Sequence, residues 1–190
     1  MNTAALEQEI RESLATKQRL LDEGLLPVTR LLEEAAACLQ RGGKLLLCGN
    51  GGSSCDAAHA AGELIGWFLA KNRGPLPAIA LGHEIPALTA IANDSGYEDV
   101  FARQLEALGK PEDLLIGIST SGGSRNIHKA IEVAKGMGLY SVALTGRKQG
   151  ACGELADLWV PVPSIETPRI QESHLLIMHL LCAHLERVMA

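Results

Sequence analysis

The first forty residues repeat apolar positions with the period of a helix. In residues 3–22 the apolar residues from Leu6 onward fall on roughly one face. After Gly24 and Pro27 a second helical pattern continues through Ala37. The chain is therefore predicted to begin with two antiparallel helices.

From Lys44 onward the pattern changes to short aliphatic runs that alternate with helical segments. Strands are predicted at 44–48, 78–81, 114–118, 141–144 and 159–162, and helices at 55–69, 86–92, 98–108, 124–136 and 169–188. Alternation of this kind is typical of a parallel sheet covered on both faces. We expect an α/β fold: one doubly wound domain (43–190) with a five-stranded parallel sheet flanked by helices, preceded by the N-terminal helical hairpin (1–42). Such sheets bind ligands beyond the carboxyl ends of their strands.

The composition favours a single-core globular protein over a nucleic-acid-binding or membrane protein. A chain of 190 residues with 47% hydrophobic content can bury one core. Its net charge of −5 and its two Phe, two Tyr and two Trp argue against binding of nucleic acid or of an anionic membrane. No apolar stretch is long enough to span a membrane, and the first residues alternate charged and apolar positions, so we expect a protein that is neither exported nor membrane-spanning. The five cysteines, an odd number without a C-x-x-C pair, indicate reduced thiols and a cytoplasmic protein.

Two predicted strands end in loops rich in glycine and serine, LLLCGNGGSS (45–54) and LLIGISTSGGS (114–124), and each loop precedes a helix. Glycines let backbone amides turn toward an anion, and a helix N-terminus adds partial positive charge. The second loop also supplies hydroxyl donors from Ser119, Thr120, Ser121 and Ser124. Neither loop has the dinucleotide or P-loop signature. The pair predicts a site for a phosphate monoester, although Ser and Gly are also ordinary turn and cap residues.

Ionisable residues recur on two predicted helices. His59 and Glu63 are four positions apart, so they share one face of a helix at about 6 Å. The apolar C-terminal helix carries Gln171, His174, His179 and His184. A surface pair for His59 and Glu63, and a buried structural role for His179, remain open alternatives on this pattern alone.

These features occur together in an order that resembles the phosphoheptose isomerases of the sugar isomerase (SIS) fold over nearly the whole chain. The matching blocks are CGNGGSxCDAxH (48–59), AIANDSGYEDVFARQ (90–104), ISTSGGSxNI (118–127), VALTG (142–146) and RIQE (169–172).

The resemblance implies conversion of sedoheptulose 7-phosphate to D-glycero-D-manno-heptose 7-phosphate, the first step of nucleotide-activated heptose biosynthesis, by a homotetramer with sites at its subunit interfaces. By position, it makes Glu63 the general base and His179 its acid/base partner. It implies one zinc ion per subunit, held by His59, Glu63, Gln171 and His179. The substrate would contact Asn50, Gly51, Gly52, Ser53, Asn93, Asp94, Ser119, Thr120, Ser121, Ser124 and Gln171.

Some positions depart from the family pattern. Pro168 stands where some members have an acid, and we expect Thr167 to cap this helix and Pro168 to occupy its first turn. Gly123 and the segment 146–150 also differ. Gln171 and His179 lie eight residues apart, about 12 Å along a helix, so only a metal midway between them could touch both.

Two other functions share parts of these motifs. One is a non-catalytic SIS protein that binds a replication initiator, a class that lacks the complete set of His59, Glu63 and His179. The other is a different sugar-phosphate SIS protein, such as an aminosugar isomerase, a lyase or a regulator domain. Turnover of sedoheptulose 7-phosphate separates these classes.

Overall fold

The computed structural model describes residues 2–189, which contain five strands and eight α-helices. The strands are β1 (Leu45–Gly49), β2 (Ala78–Ala80), β3 (Leu114–Ile118), β4 (Tyr140–Thr145) and β5 (Leu158–Pro161). The helices are α1 (Thr3–Glu23), α2 (Leu25–Gln40), α3 (Gly52–Ile65), α4 (Ile85–Asp94), α5 (Ala102–Leu108), α6 (Arg125–Met137), α7 (Gly150–Leu155) and α8 (Thr167–Val188). All strand pairs are parallel and the order is β2-β1-β3-β4-β5. The predicted α/β fold is confirmed.

The sheet separates two apolar clusters because successive strand residues point to opposite faces. Leu45 and Leu47 of β1 pack with α2, α3 and α8, whereas Leu46 and Cys48 pack with α5 and α6. Both central strands, β1 and β3, are buried along their whole length. Helices cover both faces of these strands, so every position along them is apolar or small. This continuous apolar run is the pattern from which the strands were predicted.

Two helix predictions were wrong in extent by three residues or more, and one predicted N-cap was wrong. The helix predicted at 55–69 begins at Gly52 and ends at Ile65, with Gly66 as its C-cap. The helix predicted at 98–108 begins only at Ala102, because a 3-10 turn, Tyr97–Asp99, comes first. Glu166, rather than Thr167, is the N-cap of α8, although Pro168 does lie in its first turn.

Helix α7 was not predicted. It has six residues and includes two glycines, so it is too short for a periodic pattern. Its position is fixed by the loop after β3, since the amide of Cys152 donates to the carbonyl of Gly122 at 2.9 Å. A side chain at Gly122 would collide with the carbonyl oxygen of Gln149 at 2.2 Å, and its φ of +68° also favours glycine.

The order of the strands places the loops after β1 and β3 side by side. The chain runs outward from β1 to β2 on one side and from β3 to β4 and β5 on the other, which creates a topological switch point between β1 and β3. None of the helices within residues 2–189 combines the length and apolar character that a membrane crossing requires.

Candidate active site

The loop after β1 turns sharply into α3. Gly51 is the N-cap with φ of +55°, a conformation that glycine adopts without strain, and no side chain caps this helix. The amides of Ser53 and Ser54 donate to the carbonyls of Asn50 and Gly51 at 3.1 and 3.0 Å. The helix start at Gly52 thus directs its partial positive charge to the carboxyl edge of the sheet.

The loop after β3 gathers hydroxyl groups at the start of α6. The hydroxyl oxygens of Ser119 and Ser124 lie 2.8 Å apart, and the amide of Gly123 donates to the hydroxyl oxygen of Ser121 at 3.2 Å. Ser124 is the N-cap of α6, but its side chain does not cap the helix. The hydroxyls and the uncapped first turn can therefore both donate to an anion.

Two positively charged side chains, Arg147 and Lys148, lie beside this loop, and they were not among the predicted site residues. Arg147 and Lys148 follow β4, and they line a cleft of about 160 Å³ together with Thr120 and Ser121. Their position could have been found from the order of the sheet, since β4 is next to β3 and both strands end at the same edge. The predicted phosphate loop thus has formal positive charge close to it.

The side chain of Asn50 is occupied by protein contacts. It forms a reciprocal pair with Asn126, in which each amide nitrogen donates to the other oxygen at 2.9 and 2.8 Å. Its oxygen also accepts from the hydroxyl of Tyr97 at 2.9 Å. These residues and Ser124 line a second opening of about 500 Å³ at the switch point. Asn126 and Tyr97 were not predicted as site residues, although both fall inside the quoted motifs.

Asn93 and Asp94 lie at the C-terminal end of α4. Both side chains are exposed, and the amide nitrogen of Asn93 donates to Asp94 at 2.7 Å. They precede the turn that carries Tyr97. Asp94 lines a separate cleft of about 430 Å³, together with Asp99 and Lys129, and not the second opening.

The acid–base residues meet where α3 passes α8. Nε2 of His59 lies 2.9 Å from Nε2 of His179 and 3.5 Å from Oε1 of Glu63. The two imidazole rings are arranged edge to face, with centroids 5.1 Å apart. Glu63 and His179 are half-buried and His59 is exposed, which leaves the cluster open to solvent on one side. A carboxylate and two imidazoles in this arrangement can transfer protons at two neighbouring atoms of a ligand.

Gln171 lies against a different turn of α3. A methyl group added to Gly52 would lie 2.5 Å from the amide nitrogen of Gln171, whereas His179 contacts His59, seven residues further along α3. The separation expected from the sequence therefore persists in the fold. The structure brings together three of the four predicted metal ligands and places Gln171 at the loop after β1.

The donor types of the cluster suit zinc, which binds imidazole nitrogen and carboxylate oxygen. Zinc at about 2.0–2.1 Å from each nitrogen in tetrahedral geometry needs the nitrogens about 3.3 Å apart, so His59 and His179 would have to separate by a few tenths of an ångström. As they stand, no three His, Cys, Asp or Glu side chains within residues 2–189 are arranged to hold an ion.

The first and last residues of the RIQE block, Arg169 and Glu172, connect α8 to α1. Arg169 donates to the carbonyl of Glu9 in α1 and to Glu172 at 2.8 Å. Glu172 in turn accepts from Ser13 at 2.6 Å. The side chain of Gln171 instead lies close to Gly52 at the start of α3.

His174 is also structural. It is fully buried under the sheet and lies 3.2 Å from the carbonyl of Thr145. Burial lowers the pKa of His174 to about 4, and this effect outweighs the bond to Thr145, which acts in the opposite direction. The ring is therefore neutral at ordinary pH and takes no part in the acid–base cluster.

Comparisons with known proteins identify the family to which the chain belongs. The SIS domain family model matches residues 10–146. The phosphoheptose isomerase of Helicobacter pylori strain P12 is 49% identical over 183 residues, which cover 96% of this chain and 91% of that protein. The structure of a phosphoheptose isomerase from Francisella tularensis superposes with a TM-score of 0.94 at 34% identity, covering 98% and 100% of the two chains. That of the Neisseria gonorrhoeae enzyme gives 0.91 at 38% identity, covering 97% and 98%. The chain belongs to the phosphoheptose isomerase family of SIS-domain proteins.

Proposed function

We propose that the protein converts sedoheptulose 7-phosphate to D-glycero-D-manno-heptose 7-phosphate. The observation that carries this proposal is the meeting of His59 and Glu63 of α3 with His179 of α8. The N-terminus of α3 lies at the predicted phosphate site. An open-chain heptose 7-phosphate has its phosphate and its carbonyl end at opposite ends of the carbon chain. Helix α3, with a rise of about 1.5 Å per residue, would extend from the phosphate site at its N-terminus to the acid–base residues near the carbonyl end of the substrate.

The reaction needs two proton transfers, one at carbon and one at oxygen. Glu63 removes the proton from C1 of the ketose and returns it to C2, which passes the substrate through an enediol. His179 donates a proton to O2 and accepts the proton from O1, so the carbonyl moves from C2 to C1 without net gain or loss of protons. His59 stabilises the orientation of the His179 ring through their contact.

The phosphate would bind at the loops after β1 and β3. Hydroxyls of Ser53, Ser119, Thr120, Ser121 and Ser124, with the amides of Gly51 and Gly52, supply donors without formal charge. Arg147 and Lys148 add charge at the adjoining cleft. Asn93, Asp94 and Gln171 remain the candidates for the sugar hydroxyls. Asn50 would act through its bond to Asn126, which joins the two loops.

A zinc ion is a further part of the proposal. His59, Glu63 and His179 would hold it, with Gln171 joining only if α8 or its side chain moves toward the cluster. When bound, the metal would polarise the carbonyl and stabilise negative charge on the enediolate oxygen. Ligation would also reduce the basicity of Glu63. The bond between zinc and this carboxylate would therefore have to be weak for Glu63 to remove a proton from carbon.

We also infer that the active protein is a homotetramer in the cytoplasm. The exposed apolar residues of α1 and the start of α2 support assembly, since Ile10 and Leu14 are each 62% exposed and Leu26 is 67% exposed. The open side of the acid–base cluster would be covered by a neighbouring subunit. The hairpin 1–42 would provide the assembly surface and 43–190 the site.

The deciding experiment is turnover of sedoheptulose 7-phosphate, followed by NMR of the heptose product, with metal analysis on the same sample. Formation of the aldose supports the proposal. Binding without turnover would instead indicate a sugar-phosphate-binding protein, and turnover of an aminosugar phosphate alone would indicate a different SIS isomerase.

A further inference from the structure

The loop between α3 and β2 (66–77) is held by one buried carboxylate. Glu186 of α8 accepts from the backbone amides of Phe68, Leu69 and Ala70 at 2.9, 2.9 and 3.0 Å, and from Nε of Arg73 at 2.8 Å. Burial raises the pKa of the Glu186 carboxyl, but the bonds from Arg73 and the three amides lower it more, to about 2. The carboxylate is therefore charged, and each of its oxygens accepts two hydrogen bonds.

Arg73 extends the same network to α3. Its guanidinium donates to the carbonyls of Leu64, Gly74 and Glu63 at 2.8, 2.9 and 2.6 Å. The side chains of Arg73 and Glu186 are 2% and 5% exposed. Burying such a pair is costly unless every donor and acceptor finds a partner. Here the partners are the backbone of the 66–77 loop and the end of α3, so the pair fastens that loop to both helices of the acid–base cluster.

The fastened loop places the ring of Phe68 on His179. The two rings are stacked, with centroids 5.3 Å apart and planes 26° apart. His59 meets the same imidazole from its edge. An imidazole on a half-exposed helix position has alternative rotamers, and a ring packed on its face removes some of them. Phe68 and His59 together leave His179 with its Nε2 directed at the cluster.

We propose that Phe68 is a positioning residue for His179, and that the Glu186–Arg73 pair holds Phe68 in place. The inference rests on the proposed acid–base role of His179. The hydrogen bonds of Glu186 go to Arg73 and the backbone of the 66–77 loop, and the ring of Phe68 packs on His179, so neither interaction involves the predicted phosphate loops. Their loss should therefore affect turnover while substrate binding is retained.

The first test compares Phe68→Ala with Phe68→Tyr. Removal of the ring should lower kcat by roughly 10- to 100-fold with KM within about twofold, since small misplacements of a catalytic group are costly. Tyrosine keeps the stacked ring and should retain most of the turnover. Leu69→Ala is the matched control, because that side chain is 73% exposed and the backbone amide that binds Glu186 is kept. Wild-type kcat in Phe68→Ala would overturn the proposal.

A second measurement observes the ring contact without using activity. In labelled protein, the carbon-bound protons of the His179 imidazole should show an upfield ring-current shift that disappears in Phe68→Ala and remains in Phe68→Tyr. Unchanged His179 resonances in Phe68→Ala would mean that the stacking does not exist in solution, which also overturns the proposal.

Glu186→Gln tests the support behind Phe68. Glutamine keeps one acceptor but leaves the Arg73 charge unpaired, so in folded protein His179 should lose part of its ring-current shift and kcat should fall as in Phe68→Ala. Folded Glu186→Gln with a wild-type shift and kcat would disprove the supporting role. If His179→Asn retains full turnover while the ring-current result stands, the proposed mechanism fails and the stacking contact survives.

Discussion

Nε2 of His59 and Nε2 of His179 face each other at 2.9 Å, although the residues are 120 positions apart in the chain. Two unprotonated nitrogens cannot form a hydrogen bond, so one ring carries a proton on Nε2 and the other accepts it. A proton shared by the two rings would lie close to Glu63, whose Oε1 is 3.5 Å from Nε2 of His59. A substrate oxygen that displaces one of the two rings would receive or give up that proton, which is what isomerisation requires.

The phosphate loop gives the first prediction. Ser119→Ala and Ser121→Ala should each raise KM by roughly 10- to 100-fold with a smaller effect on kcat, because a hydroxyl bonded to a charged phosphate contributes about 1.5–3 kcal/mol. Ser173→Ala is the control, since its hydroxyl bonds the carbonyl of Arg169 within α8. Steady-state kinetics with a wild-type KM in both loop variants would place the phosphate elsewhere.

Arg147 and Lys148 should contribute through charge. Arg147→Gln and Lys148→Gln should each raise KM about two- to fivefold at low salt, and the difference should shrink at about 0.5 M salt, because exposed charges are screened over a short distance. Lys135→Gln, at the opposite end of α6, serves as the charge-matched control. A KM difference independent of ionic strength would contradict an electrostatic role.

The sequence predicted the sheet and the His59–Glu63 pair because both depend on local spacing. The aliphatic runs of β1 and β3 indicate burial on both faces, and residues four apart share a helix face in any helix. The meeting of His59 with His179 depends instead on how α3 packs against α8. Glu186 looks like a surface charge near the chain end, and Arg73 lies 113 residues earlier, so no periodic pattern links them.

Assembly through α1 should be visible in solution. Light scattering at micromolar concentration should give the mass of four chains, and Ile10→Glu combined with Leu14→Glu should reduce it, because charges would then lie on the apolar surface. Leu108→Glu, on α5, is a control at an exposed apolar residue on the other side of the sheet. A wild-type protein with the mass of one chain would contradict the proposed tetramer.

His174 makes stability depend on pH. Its pKa is lowered in the folded chain to about 4, against 6.5 for an unperturbed histidine, so below pH 6.5 the unfolded chain binds a proton that the folded chain does not. Stability is thus full above pH 6.5 and falls as pH drops toward 4. Between pH 7 and 4.5 wild type should lose about 2–3 kcal/mol more than His174→Gln in urea unfolding at fixed protein concentration. Equal losses would show that this ring is protonated or exposed in the folded protein.

Glu63 provides the most direct test of the mechanism. Glutamine has the same shape as glutamate but no basicity, so Glu63→Gln should bind sugar phosphate and lose at least about 10²-fold in turnover. The fold should survive, because Glu63 binds Arg73 through its backbone carbonyl, which the substitution keeps. His179→Asn should show a similar loss. Glu132→Gln, exposed on α6, is the control for loss of one negative charge.

Exchange at carbon separates this role from a merely structural one. With substrate deuterated at C1, wild type should release deuterium to solvent during turnover, whereas Glu63→Gln should retain it even when the substrate is bound, because no carboxylate is present to remove the proton. If Glu63 were only a surface partner of His59, its replacement would change the free energy of unfolding by less than about 0.5 kcal/mol and leave turnover intact. A Glu63→Gln variant that exchanges and turns over like wild type would exclude Glu63 as the base, and proton transfer at carbon would then have to come from His59 or His179.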